Sequence, residues 1–156
     1  METVYIETSV VSYLVAQPNR NPITAWRQQL THKWWEEQRE KFTCVISQEV
    51  IAEALEGDSR MAHKRKAALQ GMAMISGGSE SASLAADLLG RGLFPAQARA
   101  DANHLATATC GSVDYLLTWN YRHLANAVVL RRMEKFLSER GLKLPRVCTP
   151  EELMGD

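Results

Sequence analysis

The stretch VDYLLTWN, residues 113–120, is the clearest strand signal in the sequence. Its aromatic and apolar residues are typical of a strand that is buried inside a sheet. Residues 92–95 introduce a predicted helix that runs to about Thr109 and is ended by Gly111, and a second helix is predicted over residues 122–140. A buried strand between two helices indicates an α/β arrangement.

The same alternation continues outward to both ends of the chain. Further short apolar runs predict strands at residues 4–6, 43–46, 73–75 and 146–149. Helices are predicted between them, over about 23–41, 48–56, 59–70 and 80–90, and another is predicted near the N-terminus. Ser47 is the expected cap of the helix at 48–56, and Thr8 or Ser9 is the expected cap of the N-terminal helix. This pattern predicts one domain over residues 1–156, with a mostly parallel central sheet covered by helices on both faces.

Composition narrows the class of protein. Of the 156 residues, 46% are hydrophobic and 23% are charged, which is typical of a globular domain. No apolar run approaches the roughly 20 residues that span a bilayer, and the N-terminus lacks a basic and apolar leader, so we expect a cytoplasmic protein without a membrane segment. The three cysteines form no CxxC motif, so a zinc ribbon or a redox motif is not supported. The formal net charge is zero, and this lack of positive charge disfavours strong nonspecific nucleic-acid binding.

Acidic and amide side chains follow several of the predicted strands. Glu7 follows the first strand, Glu53 lies on the helix after the second, and Asn120 follows the strand at 113–119. Sites in open α/β sheets form beyond the carboxyl ends of the strands, so these positions are candidates for chemistry. Asp101 lies in an alanine-rich helix, where a carboxylate is costly to bury unless it is paired or bound to a cation.

Four sequence motifs in this order resemble the PIN-domain family, which includes the VapC-type toxins of toxin–antitoxin systems. They are YIETS at 5–9, SQEVIAE at 47–53, DANHLATA at 101–108 and VDYLLTWN at 113–120, and the tail TPEEL at 149–153 also resembles the usual ending of the family. The resemblance therefore covers almost the whole chain. It implies a three-layer PIN-like fold and hydrolysis of phosphodiester bonds in RNA with Mg²⁺ or Mn²⁺ as cofactor.

The resemblance also implies roles for individual residues. Glu7 and Asp101 would bind the metal directly, Glu53 would bind it directly or through water or orient the nucleophile, and Asn120 would complete the cluster or hold a metal-bound water. A further set of hydroxyl residues would donate hydrogen bonds to the carboxylates: Thr8, Ser9 and Thr118. The implied partners are the RNA substrate, a cognate antitoxin and a second copy of the chain in a homodimer.

Two positions depart from the family pattern. The family usually has aspartate where this chain has Glu7, and the longer side chain moves the carboxylate outward by on the order of 1 Å. Many members have aspartate at or shortly after the position of Asn120, which offers a carbonyl oxygen but no charge. The displaced carboxylate of Glu7 is expected to alter catalysis, and the uncharged Asn120 predicts a lower metal affinity than that of a site with four carboxylates.

Two other functions remain open at this stage. One is a PIN fold that binds RNA or protein with little catalysis, which Glu7 and Asn120 favour. The other is an unrelated small α/β phosphoesterase, for which a small closed pocket is expected. Trp119 is the one aromatic residue expected to contact substrate, and His104 and His123 are expected to pack or to form hydrogen bonds.

Overall fold

The strand β1 (Thr3–Ile6) occupies the centre of a five-stranded sheet in the computed structural model, which describes residues 1–155. The other strands are β2 (Thr43–Ile46), β3 (Ala73–Met74), β4 (Tyr115–Leu117) and β5 (Arg146–Cys148). Their order is β3-β2-β1-β4-β5, and every pairing is parallel. The predicted α/β fold class is confirmed.

Seven helices accompany the sheet and form a three-layer fold with it. They are α1 (Thr8–Val15), α2 (Pro22–Glu37), α3 (Gln48–Ala54), α4 (Ser59–Leu69), α5 (Gly78–Gly90), α6 (Arg99–Cys110) and α7 (Ala127–Glu139), with short 3₁₀ turns at Arg39–Lys41 and Ala96–Ala98. Among the residues that the structure describes, no helix is long and apolar enough to cross a membrane.

The helix α7 begins later than the sequence predicts, and the reason is a turn that asparagine stabilises. The side chain of Asn120 accepts hydrogen bonds from the backbone N–H groups of Arg122 and His123, so the chain turns there instead of entering a helix. Asn126 then caps α7 by accepting from the N–H groups of Val128 and Val129. The prediction of a helix over 122–140 is therefore wrong for its first turn.

The start of α1 also differs from expectation. Its cap is Glu7, whose carboxylate accepts a hydrogen bond from the backbone N–H of Ser9 at 3.1 Å, so the prediction that Thr8 or Ser9 caps this helix is wrong. The predicted cap of α3 is confirmed, because Ser47 accepts from the N–H of Val50. The end of β1 is thus joined to a helix by a carboxylate that also belongs to the candidate site.

The strand order places a crevice between β1 and β4. From β1 the chain proceeds to β2 and β3 on one side, and it later returns to build β4 and β5 on the other side. Tyr5 is in register with Val45 of β2 and with Leu116 of β4. Adjacent parallel strands whose crossovers leave in opposite directions open a space at their carboxyl ends, where ligands bind in such folds.

Apolar side chains of the central strands fill the core. Val4, Ile6, Leu116 and Leu117 are fully buried, as expected for strands covered on both faces. Trp34 on α2 is also fully buried, and its indole N–H donates to the carbonyl oxygen of Leu153 at 3.1 Å. This bond ties the C-terminal segment to α2.

Shortening Leu116 tests the central position of β4. Leu116→Ala should lower the free energy of unfolding by about 2–5 kcal/mol, because it leaves a cavity between two helical layers. Urea denaturation measures this loss. Leu55→Ala is the matched control, since Leu55 is 50% exposed and should change the unfolding free energy by less than about 0.5 kcal/mol. Equal effects of the two substitutions would contradict the described core.

Candidate metal centre at the carboxyl ends of β1 and β4

Glu7 is a buried carboxylate, only 5% exposed, at the mouth of the crevice. Its backbone N–H donates to the carbonyl oxygen of Leu117 at 3.0 Å, so it extends the pairing of β1 with β4. Its Oε1 accepts from the hydroxyls of Ser9 at 2.5 Å and Thr118 at 2.6 Å, while Oε2 accepts from the N–H of Ser9. These donors supply hydrogen bonds to both carboxylate oxygens in a place where water is largely excluded.

Glu53 approaches from α3. Its Oε1 accepts a hydrogen bond from the Thr8 hydroxyl at 2.6 Å and is also bonded to Nε2 of His104, which is fully buried on α6. Among residues 1–155, no hydrogen bond reaches the second oxygen, Oε2. The carboxylate is therefore fixed through one oxygen and keeps lone pairs available on the other.

A buried polar chain holds His104 in place. Its Nδ1 lies 2.7 Å from the hydroxyl oxygen of Tyr5, which in turn lies 2.6 Å from Oγ of Ser47. Because the ionised Glu53 only accepts hydrogen bonds, Nε2 of His104 carries a proton and donates it. This series of side-chain hydrogen bonds runs from β1 through α6 to α3 and so connects three elements of the fold.

The charges around His104 and Glu53 favour their ionised forms. Burial lowers the pKa of His104, but its hydrogen bond to Glu53 and the negative charges of Glu7, Glu53 and Asp101 raise the pKa by more, so it lies above its usual value. Burial likewise raises the pKa of Glu53, but the hydrogen bonds from His104 and Thr8 and the charge of His104 bring it below its ordinary value. The two side chains thus form a charge-assisted pair.

Asp101, on the first turn of α6, is held from the β4 side. Its Oδ1 accepts from the amide Nδ2 of Asn120 at 2.9 Å, and its Oδ2 lies 3.0 Å from Nδ1 of His123. The carbonyl oxygen of Asn120 already accepts from two backbone N–H groups in the following turn. Asn120 therefore presents hydrogen-bond donors, not its carbonyl oxygen, to Asp101.

The structure brings most of the predicted site residues together in two groups. Glu7, Glu53 and His104 each offer a ligand atom, and these atoms lie within 4.8 Å of one another. Asp101 forms the second group with Asn120 and His123, and its charge acts on His104. The hydroxyls of three residues bond to the carboxylates of the first group: Thr8, Ser9 and Thr118.

This donor set suits a divalent cation. Two carboxylates close together repel one another, and a cation between them relieves that repulsion. Carboxylate oxygens are ligands that Mg²⁺ and Mn²⁺ prefer, and Glu53 Oε2 has no competing hydrogen bond among the described residues. Glu7 and Glu53 can therefore hold a metal ion, while His104 donates its Nε2 proton to Glu53 and orients that carboxylate.

Some features of the site lay outside the sequence-based prediction. The sequence predicts Tyr5 only as a strand residue, whereas in the structure its hydroxyl also holds His104. The signal for His104 was present: it follows Asp101 by three residues, which puts both on one face of α6. The expectation that Trp119 contacts substrate does not hold for its ring, which is 4% exposed and packs inside the fold.

Comparison with solved structures places this geometry in a known fold. The structure of VapBC2 from Rickettsia felis bound to a DNA fragment from its promoter matches 94% of this chain and 98% of its own, with 15% identity and a TM-score of 0.59. The structure of FitAcB from Neisseria gonorrhoeae matches 96% of this chain and 99% of its own, with 16% identity and a TM-score of 0.56. The chain has a VapC-like PIN-domain fold. No family model and no curated protein sequence matches it.

In this PIN fold, the carboxyl ends of β1 and β4 meet where the direction of strand order reverses. Glu7 extends β1, and Thr118 and Asn120 follow β4. Glu53 approaches Glu7 from α3, while Asp101 on α6 bonds to Asn120. The predicted PIN-like fold is thus confirmed, while the role of each residue in binding a metal stays a prediction.

Removing one hydroxyl tests the polar chain behind Glu53. Tyr5→Phe should lower the free energy of unfolding by about 1–3 kcal/mol, because it leaves Ser47 and His104 short of a buried hydrogen-bond partner. Urea denaturation followed by circular dichroism measures the change. Tyr115→Phe is the matched control on the neighbouring strand, because its hydroxyl makes only a 3.4 Å contact with Glu2 at the surface. A Tyr5 variant as stable as this control would show that the hydrogen bonds linking Ser47, Tyr5 and His104 contribute nothing to the stability of the fold.

Proposed function

We propose that residues 1–156 act as one PIN-like domain with metal-dependent endoribonuclease activity, hydrolysing phosphodiester bonds in RNA with Mg²⁺ or Mn²⁺. The observation that carries this proposal is the convergence of Glu7 and Glu53, with His104, at the carboxyl ends of β1 and β4. The four motifs resembling the PIN family and the fold shared with VapBC2 support it.

Glu7, Glu53 and Asp101 would hold the metal in this proposal. A bound divalent ion supplies charge neutralisation, activation of water and stabilisation of negative charge on the phosphate. The chain's own residues prepare the carboxylates: Ser9 and Thr118 fix Oε1 of Glu7, and Thr8 and His104 fix Oε1 of Glu53. Glu7 is held through both oxygens and Glu53 through one, so little rotamer freedom remains to be lost when the ion binds.

Asp101 is prepared from the other side of the crevice. The amide of Asn120 and the ring of His123 each bond to a different oxygen of the carboxylate, which fixes its plane. In place of a fourth carboxylate, Asn120 therefore contributes by orienting Asp101. This arrangement keeps the negative charge of the site lower than that of four acids and implies a weaker attraction for the cation.

We propose further that the protein is a cytoplasmic toxin of a toxin–antitoxin pair, which acts as a homodimer and is bound by a cognate antitoxin. The support is the resemblance to VapC-type toxins and the fold shared with VapBC2 and FitAcB. Growth arrest after expression of this chain, relieved by a neighbouring gene, would test the toxin role, and light scattering of the purified protein would test the homodimer.

The alternative is a PIN-fold module that binds RNA or protein with little catalysis. One observation favours it: the Asn120 carbonyl oxygen, which would have offered a ligand, is occupied by the turn that follows β4. A nuclease should cleave RNA when metal is present, whereas a binding module should bind its ligand with little or no cleavage.

Cleavage of RNA by the purified protein tests the activity. We expect hydrolysis of unstructured RNA with Mg²⁺ or Mn²⁺, none with EDTA, and a loss of at least about 100-fold in Asp101→Asn, because the amide cannot supply the charge of the carboxylate. Gel electrophoresis of labelled RNA gives the rate. Asp114→Asn makes the same chemical change at the exposed opposite end of β4 and should retain the wild-type rate.

Two results would count against this proposal. Absence of cleavage with every metal by the folded wild-type protein would favour the binding module. Cleavage that survives unchanged in Asp101→Asn would mean a contaminating nuclease or a site elsewhere, and the assignment of these carboxylates would fail.

Metal binding can be measured without any substrate. Glu53→Gln should weaken Mn²⁺ binding by at least about tenfold, because it removes one negative charge from the ligand group. Isothermal titration calorimetry gives the dissociation constant. Glu56→Gln is the control, since Glu56 lies exposed just beyond α3. If the two variants bind Mn²⁺ equally well, Glu53 is not a ligand.

A further inference from the structure

A cluster of aromatic rings lies beside the metal centre. We call it the aromatic cluster, and it consists of Tyr13, Trp26, Arg27, Trp119 and Tyr121. Trp119 is at its centre and is 4% exposed, whereas Trp26 is 43% exposed and Tyr121 is 41% exposed. Trp26 and Tyr121 thus face solvent and pack on the buried ring of Trp119.

The buried ring positions the exposed ones. The indole N–H of Trp119 donates to the hydroxyl of Thr31 at 2.7 Å, which fixes the plane of the ring. Its centroid lies 6.5 Å from that of Trp26 and 6.2 Å from that of Tyr121, both in tilted arrangements. Such contacts hold the exposed rings without requiring a partner molecule.

Arg27 adds a cation that forms no ion pair with any carboxylate of the described residues. Its guanidinium carbon lies 5.0 Å from the centroid of Tyr121 and 5.8 Å from that of Trp119. Its Nη1 donates to the hydroxyl of Tyr13 at 3.3 Å, and its Nε is buried without a hydrogen-bond partner among the described residues. None of the ion pairs found within residues 1–155 includes Arg27. The cluster therefore combines aromatic faces with an unpaired positive charge.

The aromatic cluster is continuous with the metal centre through the backbone. The N–H of Trp119 donates to the hydroxyl oxygen of Ser9 at 2.9 Å, and that hydroxyl donates to Glu7. Trp119 and Tyr121 flank Asn120, whose amide holds Asp101. A ligand on the exposed rings would therefore extend from the same turn that carries part of the metal centre.

We propose that the aromatic cluster binds an unpaired base of single-stranded RNA next to the bond that the metal centre cleaves. The base stacks on Trp26 or Tyr121, and Arg27 attracts the adjoining phosphate. Aromatic side chains beside an arginine match the two parts of a nucleotide, a flat ring and an anionic phosphate. The base must be unpaired, because stacked bases in a duplex do not offer a free face. This inference rests on the proposed ribonuclease function and assigns the residues that would hold the base beside the cleaved bond.

A second arginine–tryptophan pair, at the other end of α2, shows what an ordinary surface contact looks like. The guanidinium of Arg39, in the 3₁₀ turn after α2, lies 4.7 Å from the ring of Trp35, which is near the end of that helix. Trp35 is only partly exposed and has no described contact with the turn after β4. This pair provides a matched control for the aromatic cluster.

The test is the binding of a labelled single-stranded RNA hexamer in EDTA, where no cleavage is expected, followed by fluorescence anisotropy. We expect Trp26→Ala and Tyr121→Ala to weaken binding about tenfold, as expected for the loss of one base–aromatic stack. Trp26→Phe, which keeps an aromatic face, should recover most of the affinity. Arg27→Gln should weaken binding and reduce its dependence on salt concentration. Trp35→Ala should bind like the wild type.

A strand lacking its bases distinguishes stacking from a structural effect. Wild type should bind an abasic hexamer more weakly than the normal one, and Trp26→Ala should reduce that difference. Quenching of tryptophan fluorescence by the normal hexamer, diminished in Trp26→Phe, would place the base on that ring. A variant whose thermal unfolding midpoint equals that of the wild type has retained the fold, so this midpoint is measured for every variant.

Each opposite outcome has a distinct meaning. Unchanged RNA affinity in Trp26→Ala and Tyr121→Ala, with metal-dependent cleavage intact, overturns this inference and leaves the ribonuclease in place. Absence of both RNA binding and cleavage in the wild type overturns the inference together with the proposed function. Loss of affinity for a protein partner, with RNA affinity unchanged, also overturns it and identifies the cluster as a protein-docking surface.

Discussion

The burial of Glu7 is the constraint on which the rest of the structure depends. A carboxylate that is 5% exposed is strongly unfavourable unless donors surround it. The donors come from both sides of the crevice, with the N–H and hydroxyl of Ser9 at the start of α1 and the hydroxyl of Thr118 after β4. These bonds join the first helix to the β1–β4 pair. The candidate metal centre is therefore also part of the framework that holds the central strands in register.

A second polar chain crosses the core behind the site. Tyr5 of β1 holds His104 of α6, and His104 holds Glu53 of α3, in surroundings that are otherwise apolar. Networks of this kind stabilise one arrangement strongly when every member has a partner. The acids of the crevice are thus oriented before a cation arrives, and this preparation is what the proposed nuclease function requires. These contacts are the main support for the proposed function, because a fold shared at 15–16% identity does not by itself carry an activity.

The sequence was sufficient to predict the alternation of strands and helices and the order of the acidic positions. Strands at 4–6 and 43–46 were placed to within a residue, since short apolar runs between polar turns carry a strong local signal. The positions of Glu7 and Asn120 after their strands followed from the same reasoning. The start of α7 was misplaced because the Asn120 turn depends on side-chain hydrogen bonds that periodicity does not show. Whether the four positions bind metal stays a prediction.

By itself, the sequence determined which segments are strands, which are helices and where acids follow strands, because local composition and spacing govern these features. The tertiary structure alone decided that Glu7 caps α1, that Asn120 turns its amide toward Asp101, and that His104 bonds to Glu53. It also decided that Trp119 is buried while Trp26 and Tyr121 remain open to solvent. The physical reason is the same throughout: these contacts join residues far apart in the chain, and only the packing of helices on the sheet determines which of them meet.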